Sequence, residues 1–334
     1  MKRIAIVGCG RISVKHIEAI HQTGIAKITA FCDIDFKKAR LLADLHGGTP
    51  YRLIEEMISG NKFDLIAVLT ESGNHAEHVI ALVKCGCDIL VEKPMALSVS
   101  DAKDMIDAAA AAGVKLYEVK QNRYNKAIGA LREAYNRDKF GDLILGTIRV
   151  RWCRTQDYYD QAPWRGTWSL DGGVLSNQAV HHLDMLIWFM GPVESISAKS
   201  ITAGVEIEAE DTIACVLKFK SGALGIIEAT TAIRPKNVEG SISIVGSKGF
   251  AEIGGIAMND ICHWQFSDSN ESSLEGGFEE PDNVYGFGHS ALYDDLLGIS
   301  AGETRLVLGA EAYEIITVLE AAYESAKSGK EIFI

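Results

Sequence analysis

The chain has 334 residues, a net charge of −12 and an apolar fraction of 47%. This length predicts two domains with ample cores, and the acidic balance argues against nucleic acid or an anionic membrane as partner. No run of about eighteen apolar residues is present, and the first residues lead directly into a strand. The seven cysteines match no common disulfide or zinc framework. We therefore expect a cytoplasmic protein with reduced thiols and no metal.

The N-terminal segment predicts a strand, a tight turn and a helix start. An apolar run over residues 3–7 is followed by two closely spaced glycines and then by apolar residues at helical spacing. Gly8 permits the turn, Gly10 lets the backbone approach a pyrophosphate, and Ser13 is small where the usual pattern has a third glycine. We predict that this turn binds a dinucleotide through Gly8, Gly10, Arg11, Ile12 and Ser13.

Asp33 ends the second predicted strand, about twenty residues after the turn. A carboxylate at this place binds the adenine ribose hydroxyls and repels the extra phosphate of NADP. The alternative is an N-cap for the next helix, a role that Asp35 could fill instead. We therefore predict NAD as the cofactor.

Strands and helices then alternate as far as residue 120, which predicts a doubly wound parallel sheet with helices on both faces. Residues 1–120 are thus expected to form an NAD-binding Rossmann domain. Thr70, Asn74 and His75 follow the fourth strand and are candidates to line the cofactor site. Capping of the next helix is the alternative for Thr70 and Asn74.

From residue 121 the period becomes that of strands with one solvent-facing side. Residues 121–334 therefore predict an α+β domain with a mostly antiparallel open sheet, which we expect to bind substrate and mediate oligomerisation. The segment 267–283, rich in serine, glutamate and glycine, predicts a mobile acidic loop.

Lys93 stands in Glu92-Lys93-Pro94, directly after a predicted buried strand. Ligands bind outside the carboxyl ends of the strands in open parallel sheets, so this lysine is placed to act on one. The following proline fixes the backbone that directs it. The alternative is a lysine at a strand end that only reaches water.

A second candidate lies in the segment 158–184. Its first part is a roughly twenty-residue connection with two tyrosines and two tryptophans, which is uncommon unless it binds something. In the helix that follows, Asn177, His181, Asp184 and Trp188 share one side, opposite an apolar stripe. A solvated polar face is the alternative, and Trp188 argues against it.

These motifs resemble the glucose-fructose oxidoreductase and inositol dehydrogenase family (Gfo/Idh/MocA). The match rests on the glycine turn, on Glu92-Lys93-Pro94, and on the run from Gly172-Gly173 through His181 to Asp184. The resemblance implies that Lys93 and His181 flank the substrate carbinol and that the Lys93–Pro94 bond is cis. Many members have an aspartate where this chain has Asn177, so a lysine, aspartate and histidine triad is not carried over whole.

Two further segments, 120–125 and 158–168, are similar to those of the UDP-N-acetylglucosaminuronate 3-dehydrogenases. This resemblance implies NAD-dependent oxidation of the 3-hydroxyl of UDP-2-acetamido-2-deoxyglucuronate (UDP-GlcNAcA), on the way to diacetamido uronic acids of surface polysaccharide. It also implies a cytoplasmic homotetramer. A free polyol or aldose substrate remains an alternative, as does a non-catalytic NAD-sensing regulatory protein.

The predicted site combines these candidates. Beyond the glycine turn and Asp33, the residues expected to contact NAD are Thr70, Asn74, His75, Glu92, Lys93, Gln121, Trp164 and Arg165. The anionic substrate requires cations, for which Arg154 is a further candidate. Those expected to contact substrate are Lys93, Arg123, Tyr124, Tyr159, Arg165, Asn177, His181 and His289. The sequence leaves open whether Lys93 or His181 is the general base, and whether 2-oxoglutarate reoxidises NADH in place.

Overall fold

The computed structural model describes residues 1–267, 283–300 and 302–334, so most of the predicted acidic loop lies outside the described residues. The chain forms two compact units, of which the first comprises residues 1–121 and 289–316 and the second comprises residues 122–288 and 317–334. The assignment of residues 289–316 to the second domain is therefore corrected. They return to the first unit, where the short strand Val307–Leu308 adds to the sheet edge.

The first unit contains a seven-stranded sheet in the order β14-β6-β5-β4-β1-β2-β3. Its strands are β1 (Lys2–Val7), β2 (Ala26–Cys32), β3 (Thr49–Tyr51), β4 (Leu65–Val68), β5 (Asp88–Val91), β6 (Leu116–Glu118) and β14 (Val307–Leu308). The first six pair in parallel, and β14 alone is antiparallel. The predicted doubly wound Rossmann fold is confirmed.

Apolar runs explain this sheet, because β4 is buried along its whole length and β1 and β5 along most of theirs. The helices of this part of the chain are α1 (Ser13–Gln22), α2 (Phe36–His46), α3 (Ile54–Ile58), α4 (His75–Leu82), α5 (Val99–Ala112) and α9 (Gly288–Leu296). The Ser98 side chain caps α5, and the Asp35 side chain caps α2. Asp33 is thereby left for another role.

The strand order reverses between β1 and β4, where a doubly wound sheet opens a crevice. Gly8 follows β1 with a φ of +96°. A Cβ atom at this position would lie 2.6 Å from the carbonyl carbon and oxygen of Leu69, which follows β4. Only glycine fits here, so the two loops that border the crevice are in close contact.

The second unit contains an eight-stranded sheet in the order β13-β12-β11-β7-β10-β9-β8-β15. Its strands are β7 (Leu143–Arg151), β8 (Val193–Ile201), β9 (Thr212–Phe219), β10 (Leu224–Thr230), β11 (Glu239–Gly246), β12 (Gly249–Gly254), β13 (Asp260–Phe266) and β15 (Ile332–Phe333). Every pairing is antiparallel except that of β7 with β10. The predicted open, mostly antiparallel sheet is confirmed.

The helical elements of the second unit are α6 (Lys126–Asn136), α7 (Gln156–Tyr159), a π-helix (Val174–Gln178), α8 (Val180–Met190) and the later part of α10 (Gly309–Ser328). Helix α8 packs closely on β7, since a Cβ atom at Gly146 would lie 2.7 Å from Leu186 and Met190 side-chain atoms. All of α8 except Trp188 is buried, including its polar residues. The alternative of a solvated polar face is therefore wrong. Among the described residues, no helix has the length and apolar character needed to cross a membrane.

Candidate active site

The glycine turn of the first unit has the features of a pyrophosphate site. Gly10 is exposed, and a Cβ atom added there would meet nothing within 4 Å. The Ser13 hydroxyl donates to the Gly10 carbonyl at 2.7 Å, and no side chain caps the start of α1. The Ser13 and Lys15 amides donate to the Gly10 and Ile12 carbonyls at 3.2 Å and 3.0 Å, and the exposed Gly10 leaves room for an anionic ligand to approach the start of α1.

Asp33 is fixed beside this turn. Its carboxylate accepts hydrogen bonds from the Cys9 amide at 2.8 Å and from the Asp35 amide at 2.8 Å. The carboxylate is therefore oriented at the end of β2, where the adenine ribose of a dinucleotide lies in this fold. The open space at Gly10 and the fixed carboxylate of Asp33 fit an NAD group.

The loop after β4 is tied to the Lys93 segment by His75. The two ring nitrogens of His75 lie 2.9 Å from the Pro94 carbonyl and 3.1 Å from the Thr70 carbonyl. Burial lowers the pKa of this ring, which has no exposed surface. The prediction that His75 contacts NAD is thus opposed by its placement, and the ring instead positions the Thr70 loop. Asn74 lies directly before α4, at the end of this loop.

Lys93 itself is half-buried and lies in a segment held from several sides. The Lys93–Pro94 peptide is cis, as the resemblance implied. The Lys93 amide donates to the Glu92 carboxylate at 3.0 Å, and the Met95 amide donates to the buried Glu118 carboxylate at 2.9 Å. These two hydrogen bonds therefore fix the backbone on both sides of the lysine.

Glu92 belongs to a buried polar cluster whose members are far apart in the sequence and were not predicted to meet. Its carboxylate lies 2.9 Å from His16 Nε2, and His16 Nδ1 lies 2.9 Å from the Tyr293 hydroxyl. Burial alone would raise the pKa of Glu92, but the His16 hydrogen bond and the charges of His16 and Lys93 lower it to about 2. Glu92 is therefore an anion next to Lys93.

His289 packs edge-on against His16, with ring centroids 5.3 Å apart. Burial lowers the pKa of His289 to about 3, so the ring is neutral. It was predicted to be a substrate cation in the second domain, and that prediction is wrong in both charge and unit. One donor atom from each of His16, Glu92 and His289 lies within 4.8 Å of the others, the spacing of a metal site. Both His16 nitrogens have hydrogen-bond partners, whereas neither ring nitrogen of His289 has one among the described residues.

In the second unit, two guanidinium groups flank one tyrosine. The centre of the Tyr158 ring lies 4.3 Å from Arg165 Cζ and 5.2 Å from Arg154 Cζ. Gln178 accepts from Arg154 at 2.9 Å and donates to the Tyr158 hydroxyl at 3.2 Å. We call these four residues the arginine cluster. The Nε atoms of both arginines are buried and have no hydrogen-bond partner among the described residues, so the hydrogen-bonding capacity of the two guanidinium groups is not fully used.

Trp164 is half-buried and stacks against Arg165, with Arg165 Cζ 4.7 Å from the ring centre. Arg165 and Trp164 were predicted to contact ligands, and Tyr159 was predicted in preference to its neighbour Tyr158. Tyr159 is buried and its hydroxyl lies 3.3 Å from that of Thr231, with burial raising its pKa to about 12. Tyr158 instead faces the two arginines. Helical direction alone could not separate them, because α7 has only four residues.

His181 is buried on α8, close after the π-helix that holds Asn177. The Asn177 amide donates to the Asp171 carboxylate. His182 is completely buried, and burial lowers its pKa to about 3. His182 is therefore a neutral core residue, which leaves His181 as the candidate on this helix.

Arg123 was predicted to bind substrate, but its charge is already matched within the second unit. Its Nε and Nη2 atoms donate to the Asp184 carboxylate at 3.0 Å and 2.6 Å. Both side chains are almost fully buried, and Arg123 Cζ also lies 4.6 Å from the centre of the Trp188 ring. This pair ties α8 to the short 3₁₀ turn Gln121–Tyr124, which also contains buried Gln121 and half-buried Tyr124.

Two family models match the chain. Residues 2–120 match the oxidoreductase family with an NAD-binding Rossmann fold, and residues 128–252 match the Gfo/Idh/MocA C-terminal domain. The chain belongs to the Gfo/Idh/MocA oxidoreductase family. Its first unit is accordingly the NAD-binding domain of this family, and NAD is its cofactor.

Three members of the Gfo/Idh/MocA family show the range of relatives. The WlbA dehydrogenase from Bordetella pertussis, solved in complex with NADH and UDP-GlcNAcA, is 36% identical with a TM-score of 0.90, and the match covers 99% of this chain and 98% of that one. A myo-inositol 2-dehydrogenase from Thermotoga maritima is 29% identical over 74% of this chain and 73% of its own. A D-apiose dehydrogenase from Paraburkholderia graminis is 26% identical over 69% of this chain, and the match spans 60% of that protein.

Proposed function

We propose that this protein oxidises the 3-hydroxyl of UDP-GlcNAcA with NAD. The observation that carries the proposal is the similarity, over nearly the full length of both chains, to a WlbA dehydrogenase solved with NADH and UDP-GlcNAcA. The residues that resemble the UDP-N-acetylglucosaminuronate 3-dehydrogenases lie in segments 120–125 and 158–168. The second of these segments contains Tyr158 and Arg165 of the arginine cluster.

Cofactor binding in this proposal uses the first unit. The exposed turn at Gly10 and the positive end of the α1 dipole would hold the pyrophosphate, and Asp33 would accept hydrogen bonds from the adenine ribose. When bound, NAD accepts a hydride from the carbinol carbon. Thr70, Asn74 and Glu92 remain the proposed contacts nearer the reactive end.

Lys93 and His181 are the proposed catalytic residues. The Lys93 ammonium would stabilise the alkoxide that develops at the sugar oxygen, because the neighbouring Glu92 anion favours the charged form of the lysine. His181 would then accept the hydroxyl proton, a task suited to an imidazole near neutral pH. Glu92 has no proton to exchange at that pH, since its pKa is lowered to about 2.

The substrate carries a diphosphate and a carboxylate, and the arginine cluster is the proposed site for one of these anions. Arg165 carries a planar group of the kind that grips either bidentately, and Arg154, whose Nη atoms donate to Cys153, Asn237 and Gln178, adds a second positive charge. The chain has a net charge of −12, so a local pair of cations is required to hold such a ligand.

The second candidate substrate is a free polyol, which the similarity to myo-inositol 2-dehydrogenase favours. The two candidates differ in their need for the nucleotide. A thermal-shift experiment in the presence of NAD separates them, because a ligand that binds only the folded state raises the melting temperature. Stabilisation by UDP-GlcNAcA and none by myo-inositol supports the first candidate, and the reverse pattern supports the second.

The arginine cluster gives a direct test of anion recognition. Replacement of Arg165 by Gln should raise KM for UDP-GlcNAcA about tenfold or more, since a charge-assisted hydrogen bond is lost. The matched control is Arg137→Gln, an exposed arginine in a surface ion pair. Equal KM values in the two variants would contradict the assignment.

The proposal includes a cytoplasmic homotetramer that serves the synthesis of diacetamido uronic acids. The outer side of the second sheet supports self-association, because Val216, Leu224 and Ile226 are 56%, 49% and 40% exposed there. Val216 and Ile226 are paired across adjacent strands, so the apolar side chains form one patch.

A further inference from the structure

We propose that Glu210 and Tyr323 are positioning residues that fix the π-helix Val174–Gln178 and, through it, the substrate-binding side of the second unit. This inference rests on the proposed function for its catalytic consequence. Its structural part is independent of the substrate. Neither residue belongs to the motifs that resemble the Gfo/Idh/MocA family, and neither takes part in the proposed mechanism.

The evidence begins with the first amides of the π-helix. The Val174 amide donates to the Glu210 carbonyl at 2.9 Å, and the Leu175 amide donates to the Glu210 carboxylate at 3.0 Å. The Ser176 amide donates to the Tyr323 hydroxyl at 3.1 Å, and that hydroxyl donates to the same Glu210 oxygen at 3.0 Å. Three consecutive helix-start amides are thus satisfied by two residues from distant parts of the sequence.

The second carboxylate oxygen of Glu210 occupies space that only a glycine leaves free. A Cβ atom at Gly173 would lie 1.5 Å from Glu210 Oε2. Glu210 is buried, and the Tyr323 ring packs edge-on against Trp168 with centroids 5.2 Å apart. The carboxylate is therefore enclosed by the backbone it holds, and it has little freedom to move away from it.

The π-helix connects the hydrogen bonds of Glu210 and Tyr323 to the proposed site. Gln178, at its end, hydrogen-bonds to Arg154 and Tyr158 of the arginine cluster. Ala179 follows, and α8 with His181 begins at the next residue. A shift at the first turn would therefore displace both the substrate-anion contacts and the proposed base, although Glu210 contacts neither.

A neutral amide could make most of the same contacts. The Oε1 atom of a glutamine would accept from Leu175 and Tyr323, whereas an alanine would leave the Leu175 amide buried without its partner. Burial already raises the pKa of Glu210 to about 7, so much of its population is uncharged near neutral pH. Glu210→Gln should accordingly preserve the position of the π-helix, and Glu210→Ala should not.

The structural part is tested by hydrogen exchange followed by mass spectrometry on peptides that cover residues 172–190, without any substrate. Glu210→Ala should raise the exchange rate of the π-helix amides about tenfold or more, and Glu210→Gln should restore protection. Tyr323→Phe should raise it less, since it removes the Ser176 acceptor and one donor to Glu210 but leaves the Leu175 amide with its partner, and it should fold with little disturbance. Glu206→Ala, an exposed neighbour, is the matched control.

The functional part is tested by steady-state kinetics of the same variants with NAD and UDP-GlcNAcA. We expect Glu210→Ala to lower kcat and raise KM for the sugar nucleotide by about tenfold each, with KM for NAD unchanged, and Glu210→Gln to recover most of both. Unchanged exchange in Glu210→Ala and Tyr323→Phe would overturn the positioning role. If exchange responds but the wild type does not oxidise UDP-GlcNAcA, the proposed function fails while the structural role stands.

Discussion

At the scale of single residues, the site depends on polar side chains whose partners are buried. Lys93 follows a buried strand, its amide is held by Glu92, and the Pro94 carbonyl is held by His75. Lysine rarely loses solvent unless it is paired or used, and the anion at Glu92 supplies a countercharge. A lysine held in this way can stabilise negative charge on a substrate oxygen without a large rearrangement.

Replacement of Lys93 by Met should lower turnover about a hundredfold or more, because the alkoxide loses its cationic partner. NAD binding should persist, as measured by fluorescence titration. Lys84→Met is the matched control, since Lys84 is exposed and lies in the same unit. Turnover of Lys93→Met at the level of this control would contradict the assignment.

Replacement of His181 by Asn should also lower turnover about a hundredfold, since the proposed proton acceptor is removed. His182→Asn separates this effect from packing. His182 is the neutral core neighbour, so its replacement should lower the melting temperature while the remaining folded enzyme keeps its turnover. If His182→Asn lost turnover and His181→Asn kept it, the assignment of His181 as proton acceptor would be contradicted.

The two glycines of the nucleotide turn should fail in different ways. Gly8→Ala overlaps the Leu69 carbonyl and forces a φ of +96° on alanine, so we expect the ligand-free protein to lose about 1 to 3 kcal/mol from the backbone conformation alone. Gly10→Ala meets nothing in the free protein, so its unfolding free energy should stay near that of the wild type while NAD binding weakens tenfold or more. Denaturant unfolding and NAD titration measure the two effects, and identical behaviour of both variants would contradict them.

At the scale of elements, the regular strands and helices were predicted from the sequence, and the irregular elements mostly were not. The alternating strands and helices before residue 120, the capping of α5 and the glycine turn all follow from local patterns. The π-helix Val174–Gln178 was predicted only as part of a regular helix, because its register is set by Glu210 and Tyr323 from distant segments. The return of residues 289–316 to the first unit was missed, since β14 is a strand of only two residues.

The buried Glu210 predicts a pH dependence of stability. Its folded pKa is about 7, whereas its ordinary value is 4.5, so between these values the folded state keeps a proton that the unfolded state releases. The free energy of unfolding should therefore fall as pH rises through this range, by up to about 3 kcal/mol from this group. The Glu210→Gln variant lacks this titrating carboxyl group. Urea denaturation across this range should show a smaller fall in the variant, and parallel curves would contradict the prediction.

At the scale of the whole molecule, a dinucleotide-binding unit is joined to a sheet unit that carries both an anion-binding cluster and an exposed apolar patch. The resemblance predicted the family, the alternation of strands and helices predicted the fold class, and the glycine turn with Asp33 predicted the cofactor. They did not predict that Arg123 is neutralised by Asp184 or that His289 is buried beside His16, because each partner is far away in the sequence.

The exposed apolar patch predicts which substitutions should disrupt the proposed tetramer. Val216→Glu combined with Ile226→Glu places charges on the outer side of the second sheet and should convert the proposed tetramer to smaller species in sedimentation velocity. Ile34→Glu is the matched control, because Ile34 is 81% exposed and lies in the first unit. An unchanged sedimentation coefficient in the double variant would exclude this surface.

The central claim is that the substrate is a nucleotide-linked uronic acid. The most direct measurement is a reaction of stoichiometric enzyme with NAD and UDP-GlcNAcA, with and without 2-oxoglutarate, analysed by NADH absorbance and by mass spectrometry of the sugar nucleotide. The account predicts a product lighter by two hydrogen atoms with UDP-GlcNAcA and no reaction with myo-inositol under the same conditions. Oxidation of the free polyol with UDP-GlcNAcA left intact would contradict it.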